Sequence, residues 1–261
     1  MNVATQSRPT ARRMLNKVPE ITIFFWVIKI LATTVGETAA DFLSVTLSLG
    51  LSLTTVVMSG VLAVALVAQF RSRRYVPSIY WLSVVLISVV GTLITDNLVD
   101  NLGVPLQVTT AFFAAVLPLT FAAWYAAERT LSIHTIVTTR REAFYWLAIL
   151  FTFALGTAAG DLVGESFGLG YGLSAVLFGG LIALVALAFY GFRANAVLAF
   201  WLAYILTRPL GASLGDLLSQ PRNLGGLGLG TTGTSGIFLV TILALVIYLA
   251  RSRRDVAVVE G

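Results

Sequence analysis

The stretch WVIKILATTVGETAAD, residues 26–41, is apolar for most of its length but ends with two carboxylates, Glu37 and Asp41. Apolar sequence also surrounds it, since ITIFF precedes it and FLSVTLSLGLSLTTVV follows. A charged side chain at the centre of a bilayer costs about 2.5–3.5 kcal/mol on insertion scales. We therefore expect these acids to interact with something that offsets this cost.

The spacing of three residues in this stretch recurs along the chain. A glycine follows Trp26 after ten residues and an aspartate follows it after fifteen. The pattern W-x9-G-x4-D predicts a two-helix unit that is present four times and paired into two halves 120 residues apart. Because each unit has two spans, all copies should cross the membrane with the same polarity. The other triplets are Trp81, Gly91 and Asp96, then Trp146, Gly156 and Asp161, then Trp201, Gly211 and Asp216.

The composition is that of an all-α membrane protein. Of 261 residues, 57% are hydrophobic and only 11% are charged, and the mean hydropathy is +0.90, whereas soluble domains carry about 25% charged residues. The absence of cysteine excludes disulfides and thiolate ligands. We expect a single transmembrane domain over 1–261: a tail 1–19, a first half 20–127, a loop 128–142, a second half 143–250 and a tail 251–261.

Eight apolar runs are long enough to cross a membrane. Basic residues alternate between their connections, with RSRR at 71–74 and again at 251–254, while the opposite loops contain only Arg222. The net charge of +5 therefore indicates membrane topology and no nucleic-acid partner. Both termini are predicted to be cytoplasmic. The N-terminus is basic, with Arg8, Arg12, Arg13 and Lys17, and is predicted to precede an uncleaved first span. The runs are 20–45, 50–70, 79–100, 107–127, 143–164, 173–191, 197–218 and 234–250.

This arrangement resembles a family of bacterial membrane proteins of unknown function, built from four tandem two-helix repeats that are each marked by a tryptophan. The resemblance extends over nearly the whole chain, and all four Trp positions are filled. It implies an eight-span repeat architecture. We expect a multi-pass protein of the bacterial cytoplasmic (inner) membrane. The resemblance implies no activity, so the chemistry depends on the residues themselves.

Positions 11, 15 and 19 after each Trp share a helix face and form an oxygen-rich stripe. Symmetry about the membrane normal should bring the four aspartates to one depth. We predict that Glu37, Asp41, Asp96, Asp161 and Asp216 are ligands for a cation or for protons, with Thr92, Asp100, Thr157 and Glu165 in a second tier. Two alternatives stay open: the aspartates face water at helix ends, or they only pair with Lys29 and Arg208.

The two cations inside the spans have their own alternatives. Lys29 is three residues after Trp26, so it should snorkel to the nearer surface unless it serves as a counter-ion. Arg208 is deeper and precedes Asp216 by two turns, which makes it an internal counter-ion that competes with a substrate cation, or a structural partner of that acid. The tryptophans are predicted to form an interfacial aromatic belt, and the glycines to permit close helix contact.

Ligand chemistry suggests the substrate. The spans offer carboxylates and hydroxyls, and the only histidine, His134, lies in a loop, so hard cations such as Mg²⁺, Ca²⁺ or Mn²⁺, or protons, fit better than Zn²⁺. We expect a proton-coupled antiporter in the lipid bilayer, without a cofactor and without enzymatic activity, because no nucleophile–base pair is visible. The alternative is a non-transporting membrane scaffold with internal ion pairs.

The predicted topology can be tested with reporter fusions after Tyr75, Thr135 and Asp255. All three should report a cytoplasmic location, because each follows an even-numbered span and the basic loops should stay inside. A fusion after Gly103 is the matched control and should report the opposite side. A periplasmic signal at Tyr75, Thr135 or Asp255 would contradict the eight-span arrangement.

Overall fold

A computed structural model describes residues 16–256, and these residues form eight long helices. All eight are long and apolar enough to cross a membrane, which confirms the predicted all-α, eight-span fold class. The predicted basic residues Arg8, Arg12 and Arg13 lie outside the described residues, as does 257–261. The helices are α1 (Ile23–Asp41), α2 (Leu51–Arg71), α3 (Pro77–Asp96), α4 (Leu106–Glu128), α5 (Thr139–Asp161), α6 (Gly170–Phe192), α7 (Ala196–Ser219) and α8 (Gly230–Ser252).

The odd-numbered helices form an inner ring, in which α1 contacts α3, α3 contacts α5, α5 contacts α7, and α7 closes the ring on α1. Each even-numbered helix packs outside, against the inner helix of the following repeat, and α8 packs against α1. Between 56% and 72% of the most apolar segment of each inner helix is buried, against 17–28% for the outer helices. The outer helices therefore present their apolar side chains to lipid.

The glycine of each triplet lies where one inner helix meets the next. A Cβ atom on any of these glycines would overlap a side chain of the neighbouring helix. The neighbour is always the residue seven positions after the next Trp, so the same contact is repeated around the ring. Small residues allow helix backbones to approach closely in a membrane. The pairs are Gly36 with Ser88, Gly91 with Phe153, Gly156 with Arg208, and Gly211 with Thr33.

Three inner helices change their winding directly after the aspartate. A π-helical segment follows Asp41, Asp96 and Asp161, whereas α7 ends at Ser219 without one. Such π-helical turns are rare and occur frequently at functional sites. In three of the four repeats, the inner helix is therefore more widely wound directly after its aspartate. The segments are Phe42–Thr46, Asn97–Asn101 and Leu162–Ser166.

The tryptophans do not form a lipid-facing belt, so that prediction was wrong. Trp81, Trp146 and Trp201 are at most 4% exposed, and Trp124 is fully buried, while Trp26 is half-buried. The residue before each repeat Trp is also a buried aromatic residue, so in three of the four repeats two adjacent aromatic side chains pack inside the helix bundle. These preceding residues are Phe25, Tyr80, Tyr145 and Phe200.

The end of the bundle that contains both RSRR segments, here called the Arg-rich end, is closed by polar contacts. Lys17 forms a buried ion pair of 2.6 Å with Glu142 at the start of α5. Tyr75 donates a 2.5 Å hydrogen bond to Asp255, and burial together with this carboxylate raises the pKa of the Tyr75 phenol. These contacts join both ends of the described chain to the bundle.

Gly156→Ala should destabilise the protein, whereas Gly180→Ala should have little effect. Both glycines lie inside helices, but a Cβ at 156 would overlap Arg208 and touch Pro209, while one at 180 meets no atom within 4 Å. Overpacking of this kind costs about 1–3 kcal/mol. Thermal unfolding of the two purified variants in detergent measures the difference. Equal melting temperatures would contradict the close-packed ring.

Candidate functional site

The acids lie at the end of the inner ring opposite the Arg-rich end, here called the acidic end. The exposure of these acidic side chains decreases from the acidic end towards the interior of the ring of helices. Asp100 and Glu165 are exposed, and Asp41, Asp96 and Asp161 are partly buried. Asp216 and Glu37 are buried, with 9% and 7% of their surfaces exposed. The arrangement leads from water towards an enclosed carboxylate.

Three of the five predicted ligands converge on one point. Glu37 of α1, Asp161 of α5 and Asp216 of α7 each offer one oxygen, and these atoms lie within 4.8 Å of one another. The convergence follows from the ring, since both α5 and α1 pack against α7. Asp41 and Asp96 are outside this group of three, although both are close enough for their charges to interact with that of Glu37.

Arg208 lies at the buried end of the acid cluster. Its side chain has no exposed surface, and its Nη2 donates a 2.8 Å charge-assisted hydrogen bond to Glu37 Oε2. Its Nη1 donates to the backbone carbonyl of Thr33 at 3.1 Å. The counter-ion of Arg208 is therefore an acid of another helix. Of the two alternatives for Arg208, the structural pair with Asp216 of its own helix is not formed, because the side chain crosses the ring to Glu37 on α1.

Thr92 and Thr157 were predicted as second-tier cation ligands, but both hydroxyls accept hydrogen bonds from Arg208 Nη2. The bond to Thr157 measures 2.6 Å. Each hydroxyl also donates to a carbonyl four residues earlier in its own helix. Since both threonines already bind the guanidinium, they hold Arg208 in place at the base of the cluster.

Lys29 neither snorkels nor pairs with an acid among the described residues. It has no exposed surface, and its Nζ lies 4.1 Å from the ring centroids of both Phe153 and Tyr204. The snorkelling prediction fails because the side chain points into the ring of helices, where the aromatic faces of α5 and α7 surround it. Lys29 is therefore a buried cation in an aromatic setting, distinct from the acid cluster.

Several residues of this centre were not recognised in the sequence. Thr33, Phe153 and Tyr204 contact Arg208 or Lys29, although none of them lies on the predicted stripe. Two signals were available. Position seven after the Trp is Thr33, Ser88, Phe153 or Arg208 in the four repeats, so a single cation replaces small or apolar residues there. In addition, the spacing of four residues places that position on the same helix face as the acids.

The three converging residues could hold a hard divalent cation, because each offers a carboxylate oxygen. When all three carboxylates are deprotonated, they and the guanidinium together carry two negative charges, which one divalent ion would neutralise. Ca²⁺ binds oxygen at 2.3–2.6 Å, so opposite ligands are about 4.6–5.2 Å apart, whereas for Mg²⁺ they are about 4.0–4.2 Å apart. The three oxygens lie within 4.8 Å of one another, an upper limit that is compatible with either ion.

Comparison with known proteins supports the repeat structure. The family model "Repeat of Unknown Function (DUF347)" matches residues 24–75, 79–130, 144–195 and 199–255. Each match begins two residues before the Trp of its repeat, so the family unit coincides with the W-x9-G-x4-D unit. Neither the curated proteins nor the solved structures contain a match to this chain.

The four matches cover most of the chain, and each contains most of one inner helix and the outer helix that follows it. The predicted membership of a four-repeat membrane family of unknown function is thus confirmed. This chain belongs to the DUF347 repeat family.

Proposed function

We propose that this membrane protein is a proton-coupled transporter of a hard divalent cation of the Mn²⁺, Mg²⁺ or Ca²⁺ type. The observation that carries the proposal is the convergence of Glu37, Asp161 and Asp216 from three different helices. Carboxylate oxygens are the ligands that such ions prefer. Glu37 has two oxygens, so it can bind a cation while it keeps its hydrogen bond to Arg208.

Proton coupling follows from the chemistry of the ligands. A metal ion binds the deprotonated carboxylates, so binding should release protons and weaken as the pH falls. Partly buried Asp161 and exposed Glu165 would connect the site with water at the acidic end. Exchange of a cation for protons at one cluster would then drive antiport without a separate coupling ion.

The proposed location is the bacterial inner membrane, with the N- and C-termini in the cytoplasm. The distribution of basic loops supports this orientation through the positive-inside rule. The acidic end would then face the periplasm. The proposal includes no enzymatic step and no cofactor.

The alternative is a non-transporting scaffold, and the Arg208 network favours it. One buried guanidinium bonds side chains of three other helices, an arrangement that holds the ring together whether or not a cation binds. In this view the acids would only compensate the buried positive charges. The two functions differ in one measurable property, the binding of hard cations at the acid cluster.

Isothermal titration of the purified protein with Mn²⁺, Ca²⁺ and Mg²⁺ tests the transporter proposal. Titrations between about pH 6 and pH 8, in buffers of different ionisation enthalpy, should show binding with proton release and with lower affinity at lower pH. Asp161→Asn should weaken binding by at least the 10–100-fold that is typical for loss of a supporting group at a metal site. A lack of binding by the native protein at every pH would refute the proposal.

Glu165→Gln is the matched control for Asp161→Asn. It removes one negative charge from the same helical segment, but Glu165 is exposed and is not one of the three converging acids. We expect a smaller loss of affinity, caused only by the more distant charge. Equal losses in the two variants would mean that the cluster is not the binding site.

Glu37→Gln and Arg208→Gln separate charge compensation from ligand function. Each single variant should be destabilised by about 3–5 kcal/mol, because breaking a buried ion pair leaves an uncompensated charge or unpaired donors. The double variant removes both charges and should recover part of the thermal stability. If the double variant is stable and still binds Mn²⁺ with the native affinity, Glu37 is only a counter-ion of Arg208 and is not a ligand of the cation.

A further inference from the structure

Lys29 is a buried ionisable group that the acid cluster does not use. It lies on α1, eight residues before Glu37, which is about 12 Å along the helix towards the Arg-rich end. Its Nζ is fully enclosed and has no hydrogen-bond partner among the described residues. A lysine inside a membrane bundle is costly unless its environment accommodates it, so its position requires an explanation.

The surroundings of Lys29 can accommodate both of its protonation states. The faces of Phe153 and Tyr204, with centroids 4.1 Å from Nζ, attract an ammonium ion through cation–π interactions. Complete burial without a carboxylate partner instead suits the neutral amine. Neither the aromatic contacts nor the burial requires Lys29 to keep one fixed charge. This distinguishes Lys29 from a member of an ordinary buried ion pair.

A second cation shares one of these aromatic rings. The guanidinium carbon of Arg208 lies 5.8 Å from the Phe153 centroid, so Lys29 and Arg208 are both neighbours of the same side chain. Arg208 has an acid partner and does not lose its proton in a protein. Of the two cations, Lys29 is therefore the one that can change its charge when the charge on the acid cluster changes.

Other titratable groups surround Lys29 on the helices that pack around α1. The hydroxyls of Tyr80 and Tyr145 form a 2.6 Å hydrogen bond, about one turn closer than Lys29 to the Arg-rich end. On α8, Tyr248 packs against Phe24 near that same end. Glu37 is thus the nearest carboxylate on the same helix, and the remaining groups at this level are neutral hydroxyls and Arg208. These groups are Glu37, Tyr80, Tyr145, Tyr204, Arg208 and Tyr248.

We propose that Lys29 is a second proton-binding site of the transport cycle, which loses its proton when a divalent cation occupies the acid cluster and regains it when the cation leaves. In this step one N–H bond of the ammonium breaks, the electron pair stays on nitrogen, and the proton passes to water. The driving interaction is repulsion between the bound cation and the Lys29 ammonium through the enclosed interior, where salt screens charges much less than at the surface. The inference rests on the proposed cation site.

The competing explanation is that Lys29 supplies a fixed positive charge. Lys29→Met removes the charge, whereas Lys29→Arg retains a charge that cannot be released. If Lys29 carries a proton, both variants should bind Mn²⁺ but release about one proton fewer per cation than the native protein. If the charge is fixed, Lys29→Arg should behave like the native protein and only Lys29→Met should differ, and this result would overturn the proposal.

Lys17→Met is the control for the loss of a lysine, because Lys17 pairs with Glu142 at the Arg-rich end. It should release the native number of protons. Titration in buffers of different ionisation enthalpy gives these numbers directly. Native proton release in both Lys29 variants would overturn the proposal and leave the cation site intact, whereas a native protein that binds no cation would overturn both.

The native protein permits a test that does not depend on a folded variant. The chain contains two lysines, Lys17 and Lys29, so labelling lysine with ¹⁵N at Nζ gives two side-chain signals, which Lys17→Met assigns. Addition of Mn²⁺ would broaden the signals, so diamagnetic Ca²⁺ and Mg²⁺ are the appropriate titrants. The Lys29 signal should change from the ammonium to the amine position as the cation binds, while Lys17 stays unchanged. A Lys29 signal that keeps one position throughout the titration would refute the proposal.

Discussion

A single buried guanidinium joins the inner ring of this protein. Arg208 projects from α7 and bonds Glu37 and the Thr33 carbonyl on α1, Thr92 on α3 and Thr157 on α5. Because a guanidinium is planar and has several donors in a fixed arrangement, one side chain can bond three neighbouring helices. A lipid environment offers no water to compensate the charge, so the acid and hydroxyl partners must come from the protein itself.

The repeated backbone provides equivalent positions, and the side chains make them unequal. Each glycine of the triplet packs against position seven of the next repeat, and this contact brings the four inner helices close together. Only the fourth repeat has a cation at that position, and only the first has a glutamate four residues further along the stripe. The ring therefore has one polar centre where exact repetition would have produced four identical ones, and the Glu37–Arg208 pair defines it.

Much of the fold could be predicted because helix length, apolar runs and repeat spacing are properties of consecutive residues. The aromatic belt and the snorkelling of Lys29 were wrong for a common reason. A tryptophan or a lysine near the end of an apolar run fits an interfacial position equally well whether it points to lipid or to the bundle interior. The sign available in the sequence was the aromatic residue before each repeat Trp, such as Tyr80 or Tyr145, and the structure buries these residues.

The sequence by itself determined the eight spans, the four repeats and the helix face that carries the acids, since the helical period relates residues of one helix. The tertiary structure alone decided which faces meet. It placed Glu37 with Asp161 and Asp216, and it paired Arg208 with Glu37 in place of the aspartate on its own helix. Four units of the same pattern can be arranged around a ring in more than one order, and only the packing of α7 against both α1 and α5 selects these partners.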